Sequence, residues 1–552
     1  MEMKYEDFLL TKEKVIPTTG FTPMPMNTAL YKFQSVCVGW AIKRGRAALF
    51  QAAGLGKTIQ QLEWCDQAAK YGDGPEPILT VLIIAPLSVA PQTIAEGKKF
   101  GYEVRLCKQQ SDLRPGINIT NYEKLDNFDL TKLDAVCLDE SSILKSGDGK
   151  YAKLLISQCR NVRYLLCCSA TPAPNDYMEY GYHAEFLGIC STAEMLAEFF
   201  THDGGDTSKW ILKGWGKKKF AEWLAQWAIY IESPGDLGFE DEAIKFTLPK
   251  LHQFEHVVES PAADGYLIAM EAKTLTERRG ARRASISKRA ALCAEKVLTA
   301  GGQWLIWCNL CDEGTEIARL IPGAVEIRGA TKEAAREQHL ADFIAGKVKV
   351  LISKPTIIGF GMNLQNCHQT AFVGLSDSWE QYYQALRRVY RFGQTEEVLA
   401  HIIISEAEGA VLANIQRKED QARSMALELK GEMLETTQMI VRGAKKQTNV
   451  YKRDKIVKPK YEIHLADCVD LAREMPENHI DLTITSLPFS SLYTYSNSER
   501  DMGNCRNDQQ FGDHYRYLAD EQVRITKPGR IVAVHCMNLT TTKTNEGYIG
   551  MR

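Results

Sequence analysis

The sequence predicts an α/β protein built on two parallel-sheet domains of similar size. Two observations lead there. Short β-rich runs alternate with helical patterns, first over residues 28–180 and again over 300–405. A glycine-rich turn, Gly54-Leu55-Gly56-Lys57-Thr58, directly follows the first of those runs. In the first stretch the strand-like runs are 47–50, 81–85, 135–138 and 164–168; in the second they are 304–307, 324–327, 348–352, 371–374 and 398–404. Strands separated by helix-length segments are joined by crossovers, which makes them parallel and covers both faces of each sheet.

The bulk properties are consistent with that class. A chain of 552 residues exceeds what one core organises, so several domains are expected. Apolar content of 45% and charged content of 25% exclude a disordered or fibrous chain. The net charge of −2 does not argue against a polyanionic partner, because local basic faces coexist with overall neutrality. Cys137, Cys167 and Cys168 sit inside apolar runs and read as small buried hydrophobes, which points to a reducing compartment. There is no signal-like start and no long apolar span, so a cytoplasmic protein without membrane contact is expected. Cys308 and Cys311 form a lone CxxC pair, for which a structural role is favoured over a metal site.

The strongest chemical signal is the turn at 54–58. Its backbone N–H groups can surround phosphates, Lys57 supplies a cation for the terminal phosphates, and the Thr58 hydroxyl can reach Mg²⁺. Asp139-Glu140, at the end of the apolar run 135–138, supplies a second Mg²⁺ contact and a carboxylate to handle an attacking water. Nucleoside triphosphate hydrolysis follows from the pair.

Between the two α/β stretches the pattern changes. Phe199, Phe200, Trp210, Trp215, Phe220, Trp223, Trp227 and Tyr230 recur at helical spacing and read as the core of an inserted helical subdomain. Lys273, Arg278, Arg279, Arg282, Arg283, Lys288 and Arg289 follow, with Glu277 the one acid inside the run 273–289. Phosphate contact by Arg279, Arg282 and Arg283 is favoured over a solvated helix face. The expected domains are 1–180, 181–299 (the insertion), 300–440, a basic linker over 441–460, and a further unit over 461–552.

Taken in order, the motifs over 28–405 resemble helicase superfamily two, and within it the Swi/Snf-type DNA translocases. The resemblance implies two RecA-like lobes with ATP and Mg²⁺ in the cleft between them. Gln34 resembles the adenine-reading glutamine, whose amide can both donate to and accept from the base edge. Gly54, Leu55, Gly56, Lys57 and Thr58 are the implied phosphate loop, although Gln51 stands where its first glycine would be. Pro86, in 81–89, and Asn121-Tyr122 resemble segments that grip the nucleic-acid backbone. Asp139 is the implied Mg²⁺ holder and Glu140 the implied polariser of water; Ser142 replaces the histidine usual in that box. Ser169 and Thr171 match the coupling motif, with hydroxyls expected to bond back to the Asp-Glu box. Gly359 and Gly361 match a Gly-x-Gly-x-Asn-Leu motif on the nucleotide. Gln384, Arg388 and Arg391 match the last motif, the two arginines being placed on one face of a helix and aimed at the γ-phosphate.

From Tyr461 the chain resembles the start of amino-directed DNA methyltransferases. Ser486-Leu487-Pro488-Phe489 stands where that family has Ser-Pro-Pro-Tyr/Phe, implying base contacts from Ser486, Pro488 and Phe489. No Phe-x-Gly-x-Gly loop precedes Arg552, so a partial Rossmann-like methyltransferase segment is expected, with S-adenosylmethionine not expected to bind this chain alone. The resemblance implies a motor on duplex DNA in a bacterial or phage modification, restriction or defence setting, with a methyltransferase or restriction partner. An RNA helicase, or a DNA-binding scaffold with an idle ATPase, are the alternatives.

Overall fold

The computed structural model describes residues 3–12, 16–71, 79–87, 89–202, 210–213, 216–259, 280, 282–358, 363–376, 378–441, 453–488, 498–505, 508–536, 540–541 and 550–551. Gly359, Gly361, Arg279 and Phe489, together with Lys273, Arg278 and Trp215, lie outside the described residues. The chain forms two compact units, one of Thr18–Gly188 with Trp227–Leu434, the other of Met1–Pro17, Ile189–Gln226 and Glu435–Arg552.

The first unit holds two sheets. Strands β1 (Arg46–Gln51), β2 (Thr80–Ala85), β3 (Val104–Leu106), β4 (Gly116–Asn121), β5 (Ala135–Asp139) and β6 (Tyr164–Ser169) belong to the first of them. The short strands β7 (Phe200–His202) and β8 (Trp210–Leu212) belong to the other unit, and β9 (Ala228–Ile231) returns to the first sheet. The order is β3-β4-β2-β5-β6-β1-β9, and every pairing is parallel. The central strands are buried on both faces, which is why they read as unbroken apolar runs rather than as alternation.

The second sheet consists of β10 (Leu251–Val258), β11 (Trp304–Cys308), β12 (Val325–Glu326), β13 (Val350–Ser353), β14 (Gln369–Val373) and β15 (Val398–Ser405). Its order is β10-β15-β14-β11-β13-β12, again all parallel. The predicted α/β class with two parallel-sheet lobes is what the molecule has. Separate apolar layers lie on the two faces of this sheet, one around Trp307, Phe343, Leu364 and Phe372, the other around Trp304, Cys293 and Ile317.

The domain boundaries differ from expectation. Within 181–299, β9 extends the first sheet and β10 edges the second, while the helix Ile286–Ala300 packs against the second sheet through Ala290, Cys293, Ala294 and Val297. The inserted piece is therefore 189–226, not the whole stretch. Residues 1–17 also fall outside the first lobe.

The second unit gathers three distant segments. Helix Tyr5–Lys12 packs Tyr5, Phe8 and Leu9 against Val469, Met502 and Leu518. The Tyr5 hydroxyl donates to Asp467 Oδ2 (2.9 Å) and lies 2.9 Å from His514 Nε2. Phe199, Phe200, Phe220 and Trp223 pack ring to ring, as expected for the insertion core; Trp227 and Tyr230 instead lie at and on β9. Strands β16 (Asp454–Lys458) and β17 (Tyr461–Leu465) form an antiparallel pair. Strands β18 (Ile480–Ser486) and β19 (Thr526–His535) run parallel, with helix Asp508–Ile525 in the crossover. No helix among the described residues is long and apolar enough to cross a membrane.

Candidate active site

The phosphate loop forms where β1 ends. Gly54 (φ 97°) and Gly56 (φ 73°) both take left-handed backbone, which favours glycine, and helix Lys57–Lys70 starts directly after them. Thr58 therefore sits in the first turn of a helix, where N–H groups are unpaired within the helix. The Lys57 ammonium donates to the carbonyls of Gln51 (3.0 Å) and Ala52 (3.4 Å). Gln51, the departure from the glycine pattern, is accommodated by a reciprocal amide pair with Gln60, 2.8 Å in each direction.

Asp139 closes β5, and Glu140 follows it with φ 54°. A glutamate in left-handed backbone costs on the order of 1–3 kcal/mol, strain of the kind that gathers where a side chain must be aimed. Asp139 Oδ1 accepts from Gln61 Nε2 (2.7 Å), and its carbonyl accepts from the Tyr122 hydroxyl (2.7 Å). Burial raises the Asp139 carboxyl, against the pull of the Gln61 hydrogen bond and Lys57. Burial and the neighbouring Asp139 push Glu140 up to about 7, with Lys57 and Arg388 opposing the rise. Glu140 Oε2 is buried without a hydrogen-bond partner.

The second lobe brings its arginines to the same place. Helix Trp379–Leu386 carries Gln384, buried, with neither end of its amide hydrogen-bonded. The helix ends before the arginines, so Arg388 and Arg391 stand in the turns after it rather than on a helix face. Arg388 Nε donates to the Gln384 carbonyl (2.9 Å). Burial lowers Arg388, while Glu140 and Asp139 hold it up. Burial and the like charge of Arg388 bring Arg391 down to about 10, against the pull of Glu96 and Glu140. Lys57, Asp139, Glu140, Arg388 and Arg391 thus form one electrostatic cluster between the sheets. Gly54 itself abuts the second lobe, since a Cβ there would lie 2.9 Å from the Phe392 backbone nitrogen.

Several expectations need correction. Tyr122 and Asn121 are buried, and the Tyr122 hydroxyl is committed to Asp139, so Tyr122 supports the carboxylate box rather than gripping a backbone. Arg282 is buried and paired with Glu408 (2.9 Å); Arg289, from the same basic run, is fully buried against Glu313 (2.7 Å). The acids that balance them come from the second lobe, distant in sequence. Arg283 is exposed and Pro86 half-buried, so both remain free to meet solvent. The Gln34 amide donates to the Leu55 carbonyl (2.9 Å) and accepts from Tyr31 N (3.0 Å), so reading adenine requires it to exchange these partners. Ser169 Oγ accepts from Thr171 N (3.0 Å), and Thr171 Oγ1 donates to Glu380 (3.5 Å) instead of bonding back to the Asp-Glu box.

Glu380 was not singled out in the sequence. It lies four residues before Gln384, on the second lobe, and forms an ion pair with Lys145 of the first. Glu96, Gln61 and Phe392 were likewise missed. None carries a motif signal; Glu96 and Phe392 are identified by what they face on the other lobe, and Gln61 by its hydrogen bond to Asp139 within its own. In the C-terminal segment, Ser486 Oγ lies 3.1 Å from His535 Nδ1 at the ends of β18 and β19, with Pro488 half-buried beyond.

The donor set suits a magnesium nucleotide. Mg²⁺ uses few protein oxygens and keeps water and phosphate ligands, and Thr58 with Asp139 offers that minimum. The orphaned Glu140 oxygen and Gln384 amide are polar groups that a bound phosphate and water would satisfy.

Residues 287–393 match the family model of the helicase conserved C-terminal domain. That segment contains β11 to β14 and both arginines. Comparison with the curated proteins gave no match. Among solved structures, the Sulfolobus solfataricus SWI2/SNF2 ATPase core in complex with dsDNA is similar at 18% identity, over 76% of this chain and 99% of that one, with a TM-score of 0.36. At that score the likeness carries no argument. Over that segment the second lobe is similar to a helicase C-terminal domain, and it faces a glycine-rich turn and an Asp-Glu pair on the first lobe.

Proposed function

We propose that the chain is an ATP-driven translocase on duplex DNA. The observation that carries the reading is the cluster of Lys57, Asp139, Glu140, Arg388 and Arg391, which brings charged groups of two lobes together, Asp139 and Arg388 buried and the other three half-buried. Thr58 and Asp139 would hold Mg²⁺, which supplies charge neutralisation on the phosphates. Lys57 leaves the Gln51 and Ala52 carbonyls to meet the terminal phosphates. Glu140 orients the attacking water and accepts its proton. Arg388 and Arg391 stabilise the charge that builds in the transition state. Because the lysine and the arginines stand on different lobes, binding favours closure and hydrolysis relieves it. With nucleic acid held by both lobes, that cycle becomes stepwise movement.

ATP turnover measured with duplex DNA, single-stranded DNA or RNA, for wild type and Glu140→Gln, tests the assignment. Duplex DNA should stimulate the wild type and not the variant. Stimulation by RNA alone would make the chain an RNA helicase. A wild type that is never stimulated would be a DNA-binding scaffold.

The Glu140 carboxyl also sets a pH dependence. Its value is raised to about 7, so it is protonated below that pH and a carboxylate above it. Only the carboxylate can accept a proton, so stimulated turnover should climb between pH 6 and 8 and then level off. A flat profile over that range would contradict this role.

For the C-terminal segment, the reading as part of an amino-directed DNA methyltransferase rests on Ser486-Leu487-Pro488 at the end of β18. A modification, restriction or defence setting belongs to the same reading. Calorimetry of the full chain with S-adenosylmethionine should give no tight binding.

A further inference from the structure

We propose that Phe246, in the connection between the two lobes, is a positioning residue for Arg391, acting by clamping Phe392 against the phosphate loop. The inference rests on the ATPase reading above and adds a residue outside the motifs that suggested it.

The connection leaves β9 of the first sheet and reaches β10 of the second. Midway it forms the short helix Glu240–Lys245, and Glu242 fixes this helix to the first lobe. One Glu242 oxygen accepts from Lys32 N (2.9 Å), the other from Phe33 N (3.1 Å). Both N–H groups belong to the first turn of helix Lys32–Arg44, where they have no intrahelical acceptor and where a negative charge also meets the positive end of the helix.

Phe246 follows this anchor directly. Its ring meets Tyr31 edge-on (5.1 Å, 74°) and Phe33 edge-on (5.3 Å, 88°). Its remaining face stacks on Phe392 of the second lobe, with centroids 4.4 Å apart and planes at 24°. The Phe392 backbone nitrogen lies against Gly54, so close that a Cβ on Gly54 would come within 2.9 Å of it. Phe392 is therefore held between the phosphate loop and the connector, and it is bonded to Arg391.

The arrangement answers a physical need. Arg391 is half-buried near the buried Arg388, a like charge that disfavours its position. A guanidinium in that situation stays aimed only if its backbone is restrained. Aromatic stacking on the adjacent residue supplies the restraint, and because the anchor is on the first lobe it registers the arginine against the loop that holds the phosphates. Misplacing a catalytic group by about 1 Å costs roughly 100-fold in rate.

The test is a double-mutant cycle in the full chain, reading ATP turnover with duplex DNA. Phe246→Ala should lower kcat about 30- to 100-fold, with KM for ATP moving less than about threefold. Phe246→Tyr, which keeps the ring, should restore most of kcat. In the Phe246→Ala/Arg391→Ala protein the loss should be no larger than in Arg391→Ala alone, because one residue acts through the other. Losses that multiply, or an unchanged kcat in Phe246→Ala, would overturn the proposal. If Phe246→Ala does not fold, Phe246→Leu fills the space without the stacked ring and enters the same cycle. A wild type with no turnover removes the ATPase reading and this inference together; an active wild type indifferent to Phe246 removes this inference alone.

Discussion

Replacing Arg391 with alanine should lower DNA-stimulated kcat by about a thousandfold, in line with what arginines on a transferring phosphoryl group contribute. ADP has no γ-phosphate for that arginine to reach, so its affinity should change little. The residue is half-buried and lies within the electrostatic reach of Glu140 and Arg388. Its removal leaves Lys57 and the loop intact on the other lobe. Arg391→Lys should recover only a small part of the rate, because an ammonium lacks the planar fork that spans two phosphate oxygens. Steady-state turnover and titration with a fluorescent ADP give the two readouts. A kcat within tenfold of wild type in Arg391→Ala would remove the arginine from the chemistry.

A large stability effect is expected from Gly374→Ala. Gly374 follows β14 with φ 77°, a conformation unfavourable to a side chain. A Cβ there would lie 2.6 Å from Arg289 Nη1 and 2.7 Å from Glu313 Oε1. Those atoms form an ion pair that is fully buried on both sides. Arg289 also bonds Ser285 Oγ (2.9 Å) and lies near Glu408, which in turn pairs with Arg282. Prising apart a buried pair costs roughly 3–5 kcal/mol, because each charge loses its partner without regaining water. For a lobe of this size that corresponds to a melting midpoint lower by about 10 °C. Gly323 is the control. Its φ of 79° is similar, but a Cβ there meets nothing within 4 Å, so Gly323→Ala should cost only about 1–2 kcal/mol. Thermal unfolding of the full chain distinguishes them, and equal losses at the two positions would show that the ion pair is not what Gly374 protects.

Much of the first unit was legible along the chain. The strands at 46–51, 80–85, 135–139, 164–169, 304–308, 350–353, 369–373 and 398–405 lie where apolar runs placed them. Parallel strands buried on both faces leave a continuous signal of that kind. Edge strands leave less. β10 mixes polar residues (His252, Gln253, Glu255, His256) among its apolar ones and is half-buried or exposed throughout at the edge, and β9 is hidden in a run of aromatics whose spacing also suits a helix. Neither pattern tells which sheet the strand will join, and the domain boundaries shifted for that reason.

Local sequence set out the groups available for chemistry: a glycine-rich turn ending in Lys-Thr, a carboxylate pair after a buried strand, and two arginines three positions apart. Those features are local, written in residues a few positions apart, and backbone preference and burial suffice to read them. The packing of the folded chain settled what each group faces. It turned Arg282 and Arg289 from a basic patch into buried ion pairs, and Tyr122 from a nucleic-acid contact into a prop for Asp139. It also brought Glu380 to Lys145 and Phe392 to Gly54. Charge and hydrogen-bonding capacity belong to a residue, but their satisfaction depends on partners from 17 to more than 200 positions away, which only the folded chain brings into contact.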